Sequence, residues 1–303
     1  MCYKIFVKIW FVSSAYGQKI VINKNVRYFC NMTKLKWLSF SLLIILASCG
    51  NNDNGNTNHN DSSATTQKPY PDYVEVLMTA AKQFPDSTGL HLKLATALDS
   101  IGAYKQALTE MDSLIKKDSI NYGLWYTKGS IAEDAGDTVL AMKSYDNALR
   151  IYPSADAMLG LANLYAEQKN ERALLICTQV KRLSLGREYD AHADFISGIY
   201  NARTHNIEKA LSFFDDCIAN DYTYMEAYIE KGLVYFDNKQ YNEALNVFKF
   251  ASTVNALDAD PYYWQGRCFE MLNVKDSAML RFKQALSLDK DDKQIQEAVK
   301  RVE

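Results

Sequence analysis

Proline and glycine are scarce, with five and 13 in 303 residues, too few for the many turns of an all-β chain or for a collagen-like repeat. Histidine occurs only at His59, His91, His192 and His205, never as a pair at ligand spacing, so no metal site is expected. The sequence has no His-Glu-x-x-His, no Gly-x-Ser-x-Gly and no phosphate-cradling glycine loop, so it shows no motif for hydrolysis or nucleotide chemistry and implies no cofactor. An excess of basic charge is also missing. The formal net charge is -2, and residues 49–303 carry 27 Lys and Arg against 36 Asp and Glu, because the first 48 residues hold 7 basic residues and no acidic one. Nucleic acid is disfavoured as a partner, since neutralising phosphates requires a basic surface. What the chain does have is 48% hydrophobic residues and 20 tyrosines, enough to bury a sizeable core, and helix is the expected element.

The segment from Met32 has a different character. Lys34 and Lys36 precede an apolar run from Trp37 to Leu46, followed by Ala47, Ser48 and Cys49. That run is about half the roughly 20 residues that a membrane-spanning helix needs, which favours a signal peptide. Leu46-Ala47-Ser48-Cys49-Gly50 resembles the lipobox of bacterial lipoproteins. The resemblance implies that Cys49 receives the lipid and that the mature chain begins there. Residues 32–48 are read as the lipoprotein signal peptide and residues 1–31 as an over-extended gene start, with Met32 as the initiator. An amphipathic anchor from Lys4 to Val12 is the alternative for the latter. Residues 49–70 hold the lipidated cysteine and a polar, flexible tether, and Pro69-Tyr70-Pro71 marks the start of the domain at residues 71–303. Gly50 stands where an Asp commonly retains lipoproteins at the inner membrane. The expected location is therefore the bacterial cell envelope, as an outer membrane lipoprotein facing the periplasm.

Beyond the tether a period of 34 residues dominates. Gly129, Gly198, Gly232 and Gly266 each lie twelve residues before Ala141, Ala210, Ala244 and Ala278; four residues later come Tyr145, Phe214, Phe248 and Phe282, and three further on Ala148, Cys217, Ala251 and Ala285. The same frame fits an earlier unit through Ala95, Leu98, Gly102, Tyr104 and Ala107, with Met111 in place of the ring. A small residue lets two helices cross closely while a ring from the partner helix fills the space beside it.

These residues closely resemble the tetratricopeptide repeat, best in Trp125, Gly129, Gly136, Ala141, Tyr145, Ala148 and Pro153. The resemblance implies an all-α fold, a right-handed superhelical solenoid. It would comprise about six helix pairs, at residues 88–121, 122–155, 156–190, 191–224, 225–258 and 259–292. A leading half-repeat from Tyr73 to Phe84 and a C-terminal capping helix from Asp292 to Val302 complete it. The third unit departs most, with Ala173 one residue early and a longer loop expected around Leu185 to Tyr189. Cys177, Cys217 and Cys268 fall at packing positions and read as small buried hydrophobes. His91, His192 and His205, and the acidic pairs Glu133-Asp134 and Asp215-Asp216, read as solvated surface.

The resemblance further implies a concave groove lined by fixed positions of the first helices. In this chain those positions hold Tyr126, Asn163, Phe195, Ile199, Arg203, Ile229, Leu233, Phe236, Tyr263 and Arg267, together with Ser130, Glu133 and Glu270. Two readings are open for Phe195, Ile229 and Leu233: they face a partner, or they pack between units. The basic residues by which related proteins clamp a peptide carboxylate are absent there, apart from a lone Asn163 and the late arginines Arg203 and Arg267. The function expected is that of a lipid-anchored envelope scaffold that binds a protein or peptide and is not an enzyme. A glycan-binding lipoprotein, with tyrosine rings stacking on sugars, is the alternative.

Overall fold

The computed structural model describes residues 3–4, 29–30 and 70–303; the signal segment, Cys49 and most of the tether lie outside them. Two compact units divide at Ala80. In the first, Tyr3–Lys4 (β1) pairs antiparallel with Phe29–Cys30 (β2), and α1, Asp72–Gln83, crosses into the second. It matches the expected half-repeat within a residue.

The second unit is a stack of helix pairs: α2 (Thr88–Ser100) with α3 (Tyr104–Lys117), α4 (Tyr122–Asp134) with α5 (Thr138–Ile151), α6 (Ala155–Glu167) with α7 (Arg172–Arg182), α8 (Arg187–Arg203) with α9 (Ile207–Asn220), α10 (Met225–Asp237) with α11 (Tyr241–Val254), and α12 (Ala259–Met271) with α13 (Lys275–Leu288), closed by α14 (Lys293–Val302). Each second helix packs on the first helix of its own pair and of the next. Asp292 accepts hydrogen bonds from the Gln294 and Ile295 amides and so starts α14. Ile295, Ala298 and Val299 are buried while Lys293, Glu297 and Lys300 are exposed, the polar outer face that a terminal helix of a repeat stack needs.

The glycine and ring positions meet as their spacing predicts. An added Cβ at Gly129 would lie 2.7 Å from Tyr145, at Gly198 2.5 Å from Phe214, at Gly232 2.3 Å from Phe248 and at Gly266 2.5 Å from Phe282. All four rings are essentially excluded from solvent. Tyr145 is enclosed from the other side as well, by Gly160 of α6. In the first and third pairs the small residue is Ala95 or Ala162, and the partner position holds Met111 or Cys177 instead of a ring. The added methyl and the slimmer partner conserve local volume.

All six first helices end the same way. Gly102, Gly136, Lys169, His205, Lys239 and Asn273 take positive φ between 58° and 77°. The next amide reaches back to the helix, as in Ala103 N to Leu98 O and Gln240 N to Tyr235 O, which is the Schellman closure that satisfies the last carbonyls. The third pair departs from expectation in detail. The link between α7 and α8 is Leu183 to Gly186, and Tyr189 already lies inside α8. Gly186, with φ 116°, makes a turn there that a residue bearing Cβ would strain to adopt.

Candidate functional site on the inner helices

First helices of neighbouring pairs also pack on one another, α2 on α4, α6 on α8, α8 on α10 and α10 on α12, and no comparably close packing joins successive second helices. The stack therefore turns with its first helices on the inside. α4 and α6 both pack on α5 and are joined directly by a hydrogen bond from Asn163 to Glu133.

The positions expected to form the groove divide in two. Phe195, Ile199, Ile229, Leu233 and Tyr263 are buried, none more than 5% exposed, and Asn163 is buried as well. For Phe195, Ile229 and Leu233 the packing alternative describes what is observed. Phe195 lies 6.0 Å from the Phe214 ring and 5.0 Å from Tyr224, because a first helix is enclosed both by its own partner and by the following pair. Tyr126, Arg203, Phe236 and Arg267 are half-buried and reach the inner surface. Phe236 is stacked edge-on by Tyr241 and Trp264, and the Arg267 guanidinium lies 5.8 Å from its ring.

Polar side chains connect these helices in ways the sequence reading missed. Glu133 accepts hydrogen bonds from the Tyr145 hydroxyl, at 2.9 Å, and from Asn163 Nδ2, at 3.0 Å. Burial pushes its carboxyl up to about 7, against the pull of those two donors and with Asp134 and Glu167 adding to the rise. Glu133 is thus part of a buried network and not of a solvated face. Arg203 bridges Glu167, at 3.0 Å, and Glu230, at 3.2 Å, joining α6, α8 and α10. Glu230 is 1% exposed, and its desolvation raises its carboxyl despite the guanidinium. Further along, Tyr263 accepts from Arg267 and from Gln294, and Arg301 binds Glu270, tying α14 to α12.

The surface assignments of His192 and His91 are corrected in the same way, whereas Asp215 and Asp216 are exposed as expected. His192 is desolvated beside Tyr224, which pulls its imidazole down to about 4. His91 Nδ1 meets Glu110 at 2.7 Å. Asp215 pairs with Lys231 across two helix pairs, as Asp112 does with Lys128; both lysines directly precede a packing glycine, so this bridge recurs with the repeat. Cys177, Cys217 and Cys268 are buried free thiols, and their desolvation raises all three. Among the described residues no cluster of metal-ligating side chains occurs, and no helix is long and apolar enough to cross a membrane.

Residues 92–156 and 226–255 match models of the tetratricopeptide repeat. No curated protein matches the chain. Among solved structures, a tetratricopeptide repeat protein from Parabacteroides merdae is 20% identical with a TM-score of 0.62, over 76% of this chain and 90% of that one. PilW, a type IV pilus biogenesis factor, is 17% identical with a TM-score of 0.58, over 71% of this chain and 99% of its own. At these identities the likeness is one of fold. The chain is an all-α helical repeat solenoid that carries tetratricopeptide repeats.

Proposed function

We propose that the protein is an envelope scaffold, held to a membrane by lipid on Cys49, that binds a protein or peptide along the inner face of its repeats and performs no chemistry of its own. The observation that carries this reading is the inner face itself. Tyr126, Arg203, Phe236 and Arg267 reach the surface there on rigid helices, and solenoids of this type use such faces for protein recognition. The anchor rests on the lipobox-like run Leu46 to Cys49. At about 0.8 kcal/mol per buried methylene, two or three acyl chains hold a protein to a bilayer almost irreversibly, and Gly50 favours the outer membrane.

The test combines fractionation with crosslinked pull-down. The wild-type chain is expected in the membrane fraction and the Cys49→Ala chain in the soluble periplasm, with one dominant protein recovered from crosslinked envelopes. A Cys49→Ala chain that stays in the membrane fraction removes the lipid anchor. Recovery of glycan with no protein removes the scaffold reading in favour of the glycan-binding one.

A further inference from the structure

The links of the solenoid leave it at two opposite edges. Within a pair the chain turns from the end of a first helix to the start of a second; between pairs it turns from the end of a second helix to the start of the next first. Because the two helices of a pair are antiparallel, the two kinds of link come out at different ends of the pair. These edges differ in composition. Each of the five links between successive pairs holds a large apolar side chain out in solvent, Ile120, Tyr152, Leu185, Tyr222 and Leu257, between 49% and 83% exposed. Of the six links within pairs only the last does so, with Val274. Single exposed apolar residues are ordinary, whereas one on every successive link of one edge is a property of that edge.

The same edge is basic where its first three links leave. The last turns of α3, α5 and α7 hold Lys116 and Lys117, Arg150, and Lys181 and Arg182, with no acid among them. Asp86 holds Lys117 and Asp194 holds Lys181, but Lys116, Arg150 and Arg182 are exposed and form no ion pair among the described residues. A cation at a helix C-terminus complements the backbone dipole, yet α9, α11 and α13 end without one, so the stack does not depend on it. Asp118 is the one acid on these three links, and it accepts a hydrogen bond from Asn121. Tyr222 and Leu257, by contrast, share their links with Asp221 and Asp258.

Apolar points on separate links, each a helix pair from the next, do not make the continuous groove that grips a helix or a strand. A bilayer interface takes such points one at a time, favours tyrosine at the level of the headgroups, and attracts Lys and Arg when its lipids are anionic. The length of chain before the solenoid suits this occupant. The 20 residues from Gly50 to Pro69, read as coil from their composition, would span roughly 25 Å, so a contact too weak to form from solution is populated once lipid on Cys49 has entered the bilayer.

We propose that this edge, centred on Ile120, Tyr152, Leu183 and Leu185 with Lys116, Arg150 and Arg182, rests on the anionic surface of the bilayer to which the chain is tethered, so that α4, α6 and α8 begin at the membrane. The inference rests on the lipid anchor of the reading above and adds a second contact, made by side chains, that fixes which edge meets the lipid. Salt weakens it.

The experiment places the lipidated full chain on vesicles of phosphatidylcholine mixed with phosphatidylglycerol, with nitroxide-bearing lipid as a quencher. A fluorescent dye is coupled to Tyr152→Cys or Leu185→Cys at the proposed edge, or to His205→Cys or Lys239→Cys at the opposite one; Cys177, Cys217 and Cys268 are buried and do not compete. Quenching is expected to be severalfold stronger at 152 and 185 than at 205 and 239, and to fall in high salt or on phosphatidylcholine alone. Lys116→Glu with Arg150→Glu and Arg182→Glu is expected to reduce quenching at 185 severalfold, while flotation with the vesicles and the thermal melt stay as in wild type. Equal quenching at both edges, or quenching at 185 unchanged by the three charge reversals, overturns the proposal. Unquenched labels on a chain that still floats overturn the edge contact and leave the lipid anchor standing. A wild-type chain that does not float removes the anchor and this contact with it.

Discussion

At the scale of single residues, the helix crossings depend on missing atoms. A methyl group at Gly232 would sit 2.3 to 2.4 Å from the Phe248 ring, which has no room to retreat because it is wholly buried. Gly232→Ala is therefore expected to destabilise the protein by about 1 to 3 kcal/mol through overpacking, less about 1 kcal/mol from better helix propensity. Adding Phe248→Leu should recover part of the loss, as the Ala95 and Met111 pair already does in the first unit; additive losses in a thermal-melt cycle would show that the two positions are not coupled. Glu133 gives a second residue-level test. Its carboxyl titrates near 7 in the fold against an ordinary 4.5, so the folded state binds more protons than the unfolded one between those values. Its contribution is fully present below pH 4.5 and is lost as pH rises through about 7. Glu133→Gln removes that titration, so melting temperature measured across this range should decline less with pH in the variant than in wild type.

Helices and their ends carry the next level. Lys239 holds a left-handed conformation with φ 62° at the end of α10. For a residue with Cβ that costs about 1 to 2 kcal/mol, and glycine avoids it at an entropic cost of about 0.5 to 1 kcal/mol. Lys239→Gly is expected to raise stability by about 0.5 to 1 kcal/mol in urea unfolding, and a loss would mean that the lysine side chain contributes something its exposure does not reveal. The ion cluster on Arg203 spans three pairs. Arg203→Met leaves Glu230 buried without a cation, at a cost of about 3 to 5 kcal/mol, whereas changing Glu230→Leu as well should return much of it. The helices themselves were legible from the sequence because small residues and rings recur at a fixed interval, and α1 and α14 follow from the same frame. The shared left-handed ends were only half legible. Gly102 and Gly136 mark theirs, but Lys169, His205, Lys239 and Asn273 reach the same backbone shape through the Schellman hydrogen bonds and not through residue type.

For the whole solenoid, stability is a sum over neighbouring pairs, so a lesion such as Gly232→Ala should loosen hydrogen-exchange protection in α10, α11 and their neighbours before the distant α2 and α3. The inner face was legible in position but not in character. Periodicity places Phe195, Ile229 and Leu233 on one side of their helices, yet a first helix is enclosed by two second helices, so that side is largely packing. Glu133 looked like solvated charge, and Glu167 and Glu230 drew no reading, because their partners lie 12 to 36 residues away, beyond any helical period. The central claim is that the inner helices, and not the outer ones, hold the partner. A photo-crosslinking residue placed in turn at Tyr122 and Phe236 on the inner helices, and at Val139 and Leu280, which are exposed on second helices, tests it most directly in intact envelopes. Crosslinks to one protein from the inner positions and none from the outer pair are predicted; crosslinks from Val139 or Leu280 with silence at Tyr122 and Phe236 would contradict it.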